Sequence, residues 1–254
     1  MSVYQIHFSP TGGTKAVSEL LASAWPETVS IDLCDPAADE RTQSFTSDDL
    51  CIFAVPAFEG RVPPVNLRRI KRLTGNNTPC VMAAVYGNRA IDDTLIELED
   101  ELIPLGFKPF AAVSAVAEHS VLPMFGVGRP DDMDQAQLRE FSRTIRSTYE
   151  RGPVGVQVVV QGKGPYILIN MYPIFHVLDS EKCTGGMLCA KLCPVSAIDL
   201  SNPGKLDAEV CMHCMRCVKI CPTHAKHTPA ERVEKTVEVI GHLLAGRKEN
   251  TLYL

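Results

Sequence analysis

Over the first 150 residues, short apolar runs alternate with longer stretches in which apolar positions recur every three or four residues. Val3–Phe8 alternates and then gives way to small polar residues, which predicts a strand. From Gly12 to Ala24, Ala16, Val17, Leu20 and Leu21 fall at helical spacing, with Thr11 or Thr14 placed to cap the start. Val29–Leu33 predicts a second short strand, and Leu50–Val55 is apolar throughout, as expected of a strand buried on both faces. Val65–Leu73, after Pro63 and Pro64, reads as a basic amphipathic helix. Pro79–Tyr86 predicts a buried strand, Ile91–Leu105 a helix, Phe110–Val116 a fifth strand, and Asp131–Glu150 a polar amphipathic helix opening after Arg129-Pro130. Much later, Glu231–Gly246 carries Val233, Val237, Ile240 and Leu244 on one helical stripe, which predicts a helix packed back on a domain.

Five short apolar strands alternating with helices predict an α/β fold with a doubly wound parallel sheet. Such sheets bind ligands beyond the carboxyl ends of their strands. Three loops fall there: Ser9–Thr14, Pro56–Gly60 and Gly87–Arg89. The first, Ser9-Pro10-Thr11-Gly12-Gly13-Thr14, lies between a strand and a helix and offers three hydroxyls. Two glycines let its backbone close around an anion, and the helix N-terminus directs N–H groups there, so a phosphate suits it. It matches neither the G-x-x-x-x-G-K-[ST] nor the G-x-G-x-x-G spacing. His119 and Ser120, after the fifth strand, read as a polar strand end that could also close the site.

Beyond residue 150 the pattern changes. Arg151–Gly164 is rich in Gly and Val, and Val154–Gln161 could form an edge strand or hairpin arm. Tyr166–Leu178 is apolar and aromatic, with Tyr166, Tyr172 and Phe175 around Pro173, and reads as packing between two halves because flexible tethers are polar. Seven of the ten cysteines then crowd into Cys183–Pro222, in two copies of one motif. The second copy, from Cys211, is a complete C-x-x-C-x-x-C-x-x-x-C-P run, the spacing that holds cubane iron–sulfur clusters. The first, from Cys183, differs in having Gly186 where the second has Cys214. Zinc also uses C-x-x-C pairs, but seven cysteines with two Cys-Pro closures do not divide into tetrahedral sites. His213, His224 and His227 adjoin a complete thiolate set and read as hydrogen-bonding or exposed residues. Cys34, Cys51 and Cys80 lie in or beside predicted strands and read as small buried hydrophobes.

Composition narrows the setting. A length of 254 residues suggests two domains, and 45% apolar residues suffice for an ordinary core. A net charge of −5 gives no argument for nucleic acid or an anionic membrane as partner. No run approaches the ~18 apolar residues of a membrane span, and Met1–Phe8 lacks the basic flank of a signal peptide. Clustered thiols without an export signal read as metal ligands in a reducing cytosol, so a soluble cytoplasmic protein is expected.

The Ser9–Thr14 loop resembles the S/T-x-T-G-x-T phosphate loop of flavodoxins, which bind FMN. The resemblance places Ser9, Thr11, Gly12, Gly13 and Thr14 on the phosphate. It sets Pro56, Ala57, Phe58 and Gly60 against the flavin ring, with Phe58 stacking on it. Tyr86, Gly87, Asn88 and Arg89 then fall on the other side, where the Asn88 amide could meet the pyrimidine edge. The cysteine module resembles bacterial two-cluster ferredoxins, in which the Cys-Pro cysteine of each copy crosses to the other cluster. On that resemblance one 4Fe-4S cluster takes Cys193, Cys211, Cys214 and Cys217. The other takes Cys183, Cys189 and Cys221, and with Gly186 in place of a thiolate it could be 3Fe-4S, 4Fe-4S with a foreign ligand, or absent. Met187 reads as packing there. The chain as a whole is similar to flavodoxin–ferredoxin fusion proteins of anaerobes. That implies a flavodoxin-like five-stranded sheet over 1–151, an apolar packing segment over 152–178, a small α+β ferredoxin-like domain over 179–228, and a helix over 229–254. It also implies electron transfer between FMN and the clusters to a redox partner protein. Two rival readings are a flavin- and iron–sulfur-dependent reductase of small molecules, with or without use of the open iron, and a redox sensor or assembly protein with labile clusters.

Overall fold

The computed structural model describes residues 1–152, 158–160, 162, 165–169 and 176–254. The first half runs β1 (Val3–His7), α1 (Gly13–Leu21), β2 (Val29–Asp32), β3 (Gln43–Ser44), β4 (Leu50–Pro56), α2 (Pro64–Ile70), β5 (Leu73–Thr74), β6 (Thr78–Tyr86), α3 (Thr94–Leu102), β7 (Phe107–Val116) and α4 (Asp132–Glu150). After it come β8 (Val177–Leu178), α5 (Leu188–Lys191), α6 (Arg216–Lys219), β9 (Lys226–His227), α7 (Ala230–Leu244) and β10 (Thr251–Tyr253). Five parallel strands stand in the order β2-β1-β4-β6-β7, and β10 adds a sixth, antiparallel strand beside β7. Counting only the five parallel strands, this is the 2-1-3-4-5 order of the flavodoxin-like doubly wound fold.

Side-chain alternation explains why the central strands need cover on both faces. In β4, Leu50, Ile52 and Ala54 point to one core, together with Val17, Leu20 and Leu21 of α1 and Leu138 and Ile145 of α4. Cys51, Phe53 and Val55 point to the opposite core, with Ile70 of α2 and Leu95, Leu98 and Leu102 of α3. Phe53 and Phe107 meet edge to face at 4.9 Å in that core. Burying one such side chain is worth about 1.5–3 kcal/mol. Cys34, Cys51 and Cys80 are wholly buried there, and burial pushes their thiols upward, which suits apolar filling.

Several elements depart from the sequence expectation. α2 stops at Ile70, because Leu73–Thr74 leaves the helix to pair in parallel with Gln43–Ser44. α3 covers only Thr94–Leu102 of the expected Ile91–Leu105. Neither Thr11 nor Thr14 caps α1; Gly12 stands at its start with φ 100°, and the Ser9 hydroxyl accepts the Lys15 N–H at 2.9 Å. Residues 229–254, expected as a helix, hold α7 and then return as β10 to the first sheet. A polar cluster fixes that return. Asn250 accepts the Val116 N–H at 2.9 Å and donates to Asp134, which is also bonded by the buried Arg129 at 2.5 and 2.7 Å. Burial would raise the Asp134 carboxyl, but Arg129 and Asn250 hold it below the usual range.

The segment between the halves is described in part. Val158 is buried in the same core as Phe53. The Tyr166 ring lies 4.5 Å from the Arg61 guanidinium and its hydroxyl donates to Asp100. Residues 154–157 and Gln161 of that arm, and Tyr172, Pro173 and Phe175, lie outside the described residues. No helix among the described residues is long and apolar enough to cross a membrane.

Candidate functional site

The three loops converge on one cavity of about 780 Å³ at the carboxyl ends of the strands. Thr11, Gly13 and Thr14 line it from the first loop, where α1 turns its N-terminus toward the opening. Gly13 must lack a side chain, since a Cβ there would sit 2.8 Å from the Ala117 Cβ. Gly12 and Ser9 do not line the cavity. Gly12 supplies the left-handed turn, and Ser9 binds the Lys15 N–H while its own N–H donates to Cys34 Sγ at 3.0 Å.

Pro56, Ala57 and Phe58 line the cavity from the second loop. Arg61 anchors that loop. It donates to both oxygens of the buried Glu97 at 2.5 and 2.8 Å and to the Ile167 carbonyl at 2.7 Å. Gly60 lies outside the lining, with φ 79° and so close to Asp92 that a Cβ would fall 2.2 Å from its carboxylate. Tyr86, Gly87 and Arg89 line the cavity from the third loop, and a Cβ on Gly87 would fall 2.8 Å from the His119 ring. Asn88 corrects an expectation. Its buried amide donates to the carbonyls of Leu244 and Gly246 at 2.6 and 2.7 Å, so it anchors the end of α7 and does not face the cavity.

His119 and Ser120, which read as a polar strand end that could also close the site, both line the cavity, and His119 forms a wall of it. Its Nδ1 accepts the N–H groups of Val121 and Leu122, both at 3.2 Å, which leaves the ring proton on Nε2. Burial, then the neighbouring Arg89, lower its pKa to about 4, so the ring is neutral at physiological pH. Two further walls were not legible in the sequence. One is the face of α7 that includes Lys235, Val239 and Ile240; the other is Met212, His213 and Cys214, in the intact cysteine motif. Met212 and Cys214 are also buried in the core of the first half.

The cysteines divide unequally. Cys193, Cys211, Cys214 and Cys217 line one small cavity between the motif copies. These four come from both copies, and as soft donors around one void they fit a cubane. Burial raises Cys214 to about 12 and pushes Cys211 and Cys217 up too, as expected of thiols that ionise only when a metal takes their charge. Cys189 is also raised by burial. At Cys221, hydrogen bonds from Lys226, Thr223 and Ala225 outweigh burial and lower the thiol. No three His, Cys, Asp or Glu side chains among the described residues sit close enough to share a single metal ion. A cubane spreads its thiolates over separate irons and does not require that.

Two arginines lock this module to the first half. Buried Arg69 donates to the carbonyls of Leu33 and Pro194, each at 2.6 Å, and to Asp39 at 2.7 Å. Arg216, between Cys214 and Cys217, reaches the carbonyls of Ser9 and Pro10 at 3.4 and 3.5 Å, while its buried Nε has no hydrogen-bond partner among the described residues.

Residues 182–225 match the 4Fe-4S dicluster domain family. The match covers the whole repeat. No curated protein matches the chain. Among solved structures, a flavodoxin from Streptococcus pneumoniae is 12% identical with a TM-score of 0.39, covering 58% of this chain and 99% of its own. An archaeal flavodoxin is 12% identical with a TM-score of 0.37, covering 59% and 99%. Rubredoxin oxygen:oxidoreductase from Desulfovibrio gigas is 17% identical with a TM-score of 0.41, covering 59% of this chain and 36% of its own.

Proposed function

We propose that this chain is an electron-transfer flavoprotein that binds FMN in the cavity at the strand ends and carries electrons between it, two iron–sulfur clusters and a redox partner protein. One observation carries the reading: Met212 and Cys214, beside and within the intact cluster's ligand set, line the same cavity as the three loops. FMN handles electrons singly or in pairs and the clusters handle them singly, so adjacent sites can split or join pairs.

The chain's own residues divide the work. Thr11, Gly13 and Thr14, at the start of α1, hold the phosphate. Phe58 and Tyr86 flank the ring, in loops made rigid by Arg61–Glu97 and by Asn88. His119, neutral with its proton on Nε2, is placed to donate a hydrogen bond into the cavity. Cys193, Cys211, Cys214 and Cys217 hold the cluster nearest the flavin. Cys183, Cys189 and Cys221 hold the other.

Anaerobic purification with flavin, iron and sulfide counts tests this. About one FMN per chain is expected. After flash reduction of the flavin, its reoxidation should match cluster reduction at a rate independent of protein concentration. Absence of FMN, or a rate proportional to concentration, would sink the proposal.

A further inference from the structure

The loop that carries the intact cysteine motif, Cys211–Cys217, serves both cavities. Met212 and Cys214 line the small cavity of the four cysteines and also the large cavity at the strand ends. Each is only 8% exposed, packed in the core of the first half. Two ties run from α6 to the loops around the large cavity. Arg216 Nη1 donates to the Ser9 and Pro10 carbonyls of the first loop, and Lys219 pairs with Glu118 at 3.5 Å, next to His119. Pro10 and Glu118 both line that cavity.

The backbone of this loop needs something to hold it. His213 and Met215 have φ of 54° and 60°, left-handed conformations that cost energy in a residue with a Cβ. Bonds from a cluster to Cys211, Cys214 and Cys217 would fix such a backbone at every third residue, so metal binding and loop order go together. The matching turn in the other copy has the same shape: Met187 has φ 59° and ψ 12°, Met215 φ 60° and ψ 10°, and each opens a four-residue helix. That copy carries Leu188 in place of Arg216, and none of its cysteines lines the large cavity. Only the intact loop can report its state to the first half.

We propose that the flavin site and the four-cysteine site are linked in binding. A cluster on Cys193, Cys211, Cys214 and Cys217 sets the loop as a wall of the flavin cavity, and Arg216 positions the first loop for the flavin phosphate. The inference rests on the flavin and iron–sulfur readings of the two cavities. The loop has two states. In one, the cluster holds Met212 and Cys214 against the first half and Arg216 grips the Ser9 and Pro10 carbonyls. In the other the thiols are free, the left-handed residues relax, and both wall and grip are lost. FMN prefers the first state, and by reciprocity its binding favours retention of the cluster by the same factor. Chains without this cluster stay without flavin, so no flavin is reduced where nothing can take its electrons.

The test uses the full chain, purified anaerobically, with FMN as probe and equilibrium dialysis as readout. The cluster-loaded chain is compared with the same chain stripped by oxidant and chelator and then reduced, and with Cys193→Ser, which removes a ligand supplied by the copy that does not touch the flavin cavity. FMN should bind the loaded chain at least about tenfold tighter than either other form, and reconstitution of the stripped chain should restore the affinity. Arg216→Met should bring the loaded chain close to the stripped value, and Arg216→Lys, which keeps a donor, should recover most of the difference. Saturating FMN should slow iron loss from the native chain to a chelator by about fivefold or more. Equal affinity of loaded and stripped chains overturns the proposal and leaves the flavin reading standing. A full difference retained in Arg216→Met overturns the role given to that residue. An iron-loss rate unchanged by FMN overturns the linkage whether or not the variants fold. If no form binds FMN, the flavin reading falls and the inference with it.

Discussion

The loop from Cys183 and the loop from Cys211 have the same turn, the same short helix and the same proline closure, yet they face different surroundings. The intact one is built into the first half. Met212 and Cys214 sit in its core, Arg216 reaches the Ser9 and Pro10 carbonyls, and Arg69 holds Pro194, next to Cys193, the proposed crossing ligand. The incomplete one turns Gly186 to solvent, and Leu188 and Leu192 beside it are 42% and 38% exposed. A buried loop must supply all its own ligands because nothing else can reach the metal. An exposed one can do without, since solvent supplies donors. The difference between the copies therefore follows from where each is embedded, and it gives the module one end at the loop-lined cavity and one end directed outward.

The strongest way to break that contrast is to exchange the defect. Cys214→Gly would leave the buried corner without a ligand and without access for a replacement. The expected result is loss of the whole flavin-side cluster, about four irons per chain, and of internal flavin reoxidation. Iron analysis together with flash reduction checks it. If Cys214→Gly behaved like the native Gly186 site, keeping most of its iron, burial would not be what separates the loops.

A smaller effect is expected from Arg69→Met. The substitution keeps the bulk and removes three hydrogen bonds, including the one that holds the Pro194 carbonyl. Two of those acceptors are carbonyls and Asp39 is partly exposed, so the cost should be about 2–3 kcal/mol. Denaturant unfolding measures the loss, and iron release on mild heating should come first from the site containing Cys193. Equal release from both sites would show that the arginine ties hold the fold without distinguishing the loops.

What could be read from the sequence follows from how local each cause is. The cysteine spacing and the apolar runs of β4 and β6 are set by neighbours within a few residues, so they were legible. The end of α2 was not, because Leu73 is drawn away by Gln43, distant in sequence. Nor was β10, whose three residues are held in place by β7 and by Asn250. The stripe on α7 announced that the helix packs, but a stripe does not name its neighbour, and part of that face forms a wall of the cavity. Asn88 shows the same limit: its place in the third loop was evident, while its amide serves the backbone at residues 244 and 246.

Arg216 sharpens the comparison at its finest scale. Its counterpart in the other copy is Leu188, so only the intact loop places a guanidinium beside its cysteines. Arg216 lines the four-cysteine cavity, its charge favours the Cys214 thiolate, and its Nε is buried without a partner among the described residues while Nη1 is held by the Ser9–Pro10 carbonyls. An N–H donated toward cluster sulfur stabilises the reduced, more negative state and raises the potential. Arg216→Gln keeps a donor and removes the charge, so the flavin-side cluster should become harder to reduce by about 1 kcal/mol, on the order of 50 mV for one electron. Leu188→Gln, the matching change in the exposed loop, should move its cluster much less, because solvent screens an added dipole there. Redox titration followed by electron paramagnetic resonance resolves the two sites. Equal shifts in both would mean that the two loops hold their clusters in the same electrostatic setting, and the contrast between a buried and an open end would fail.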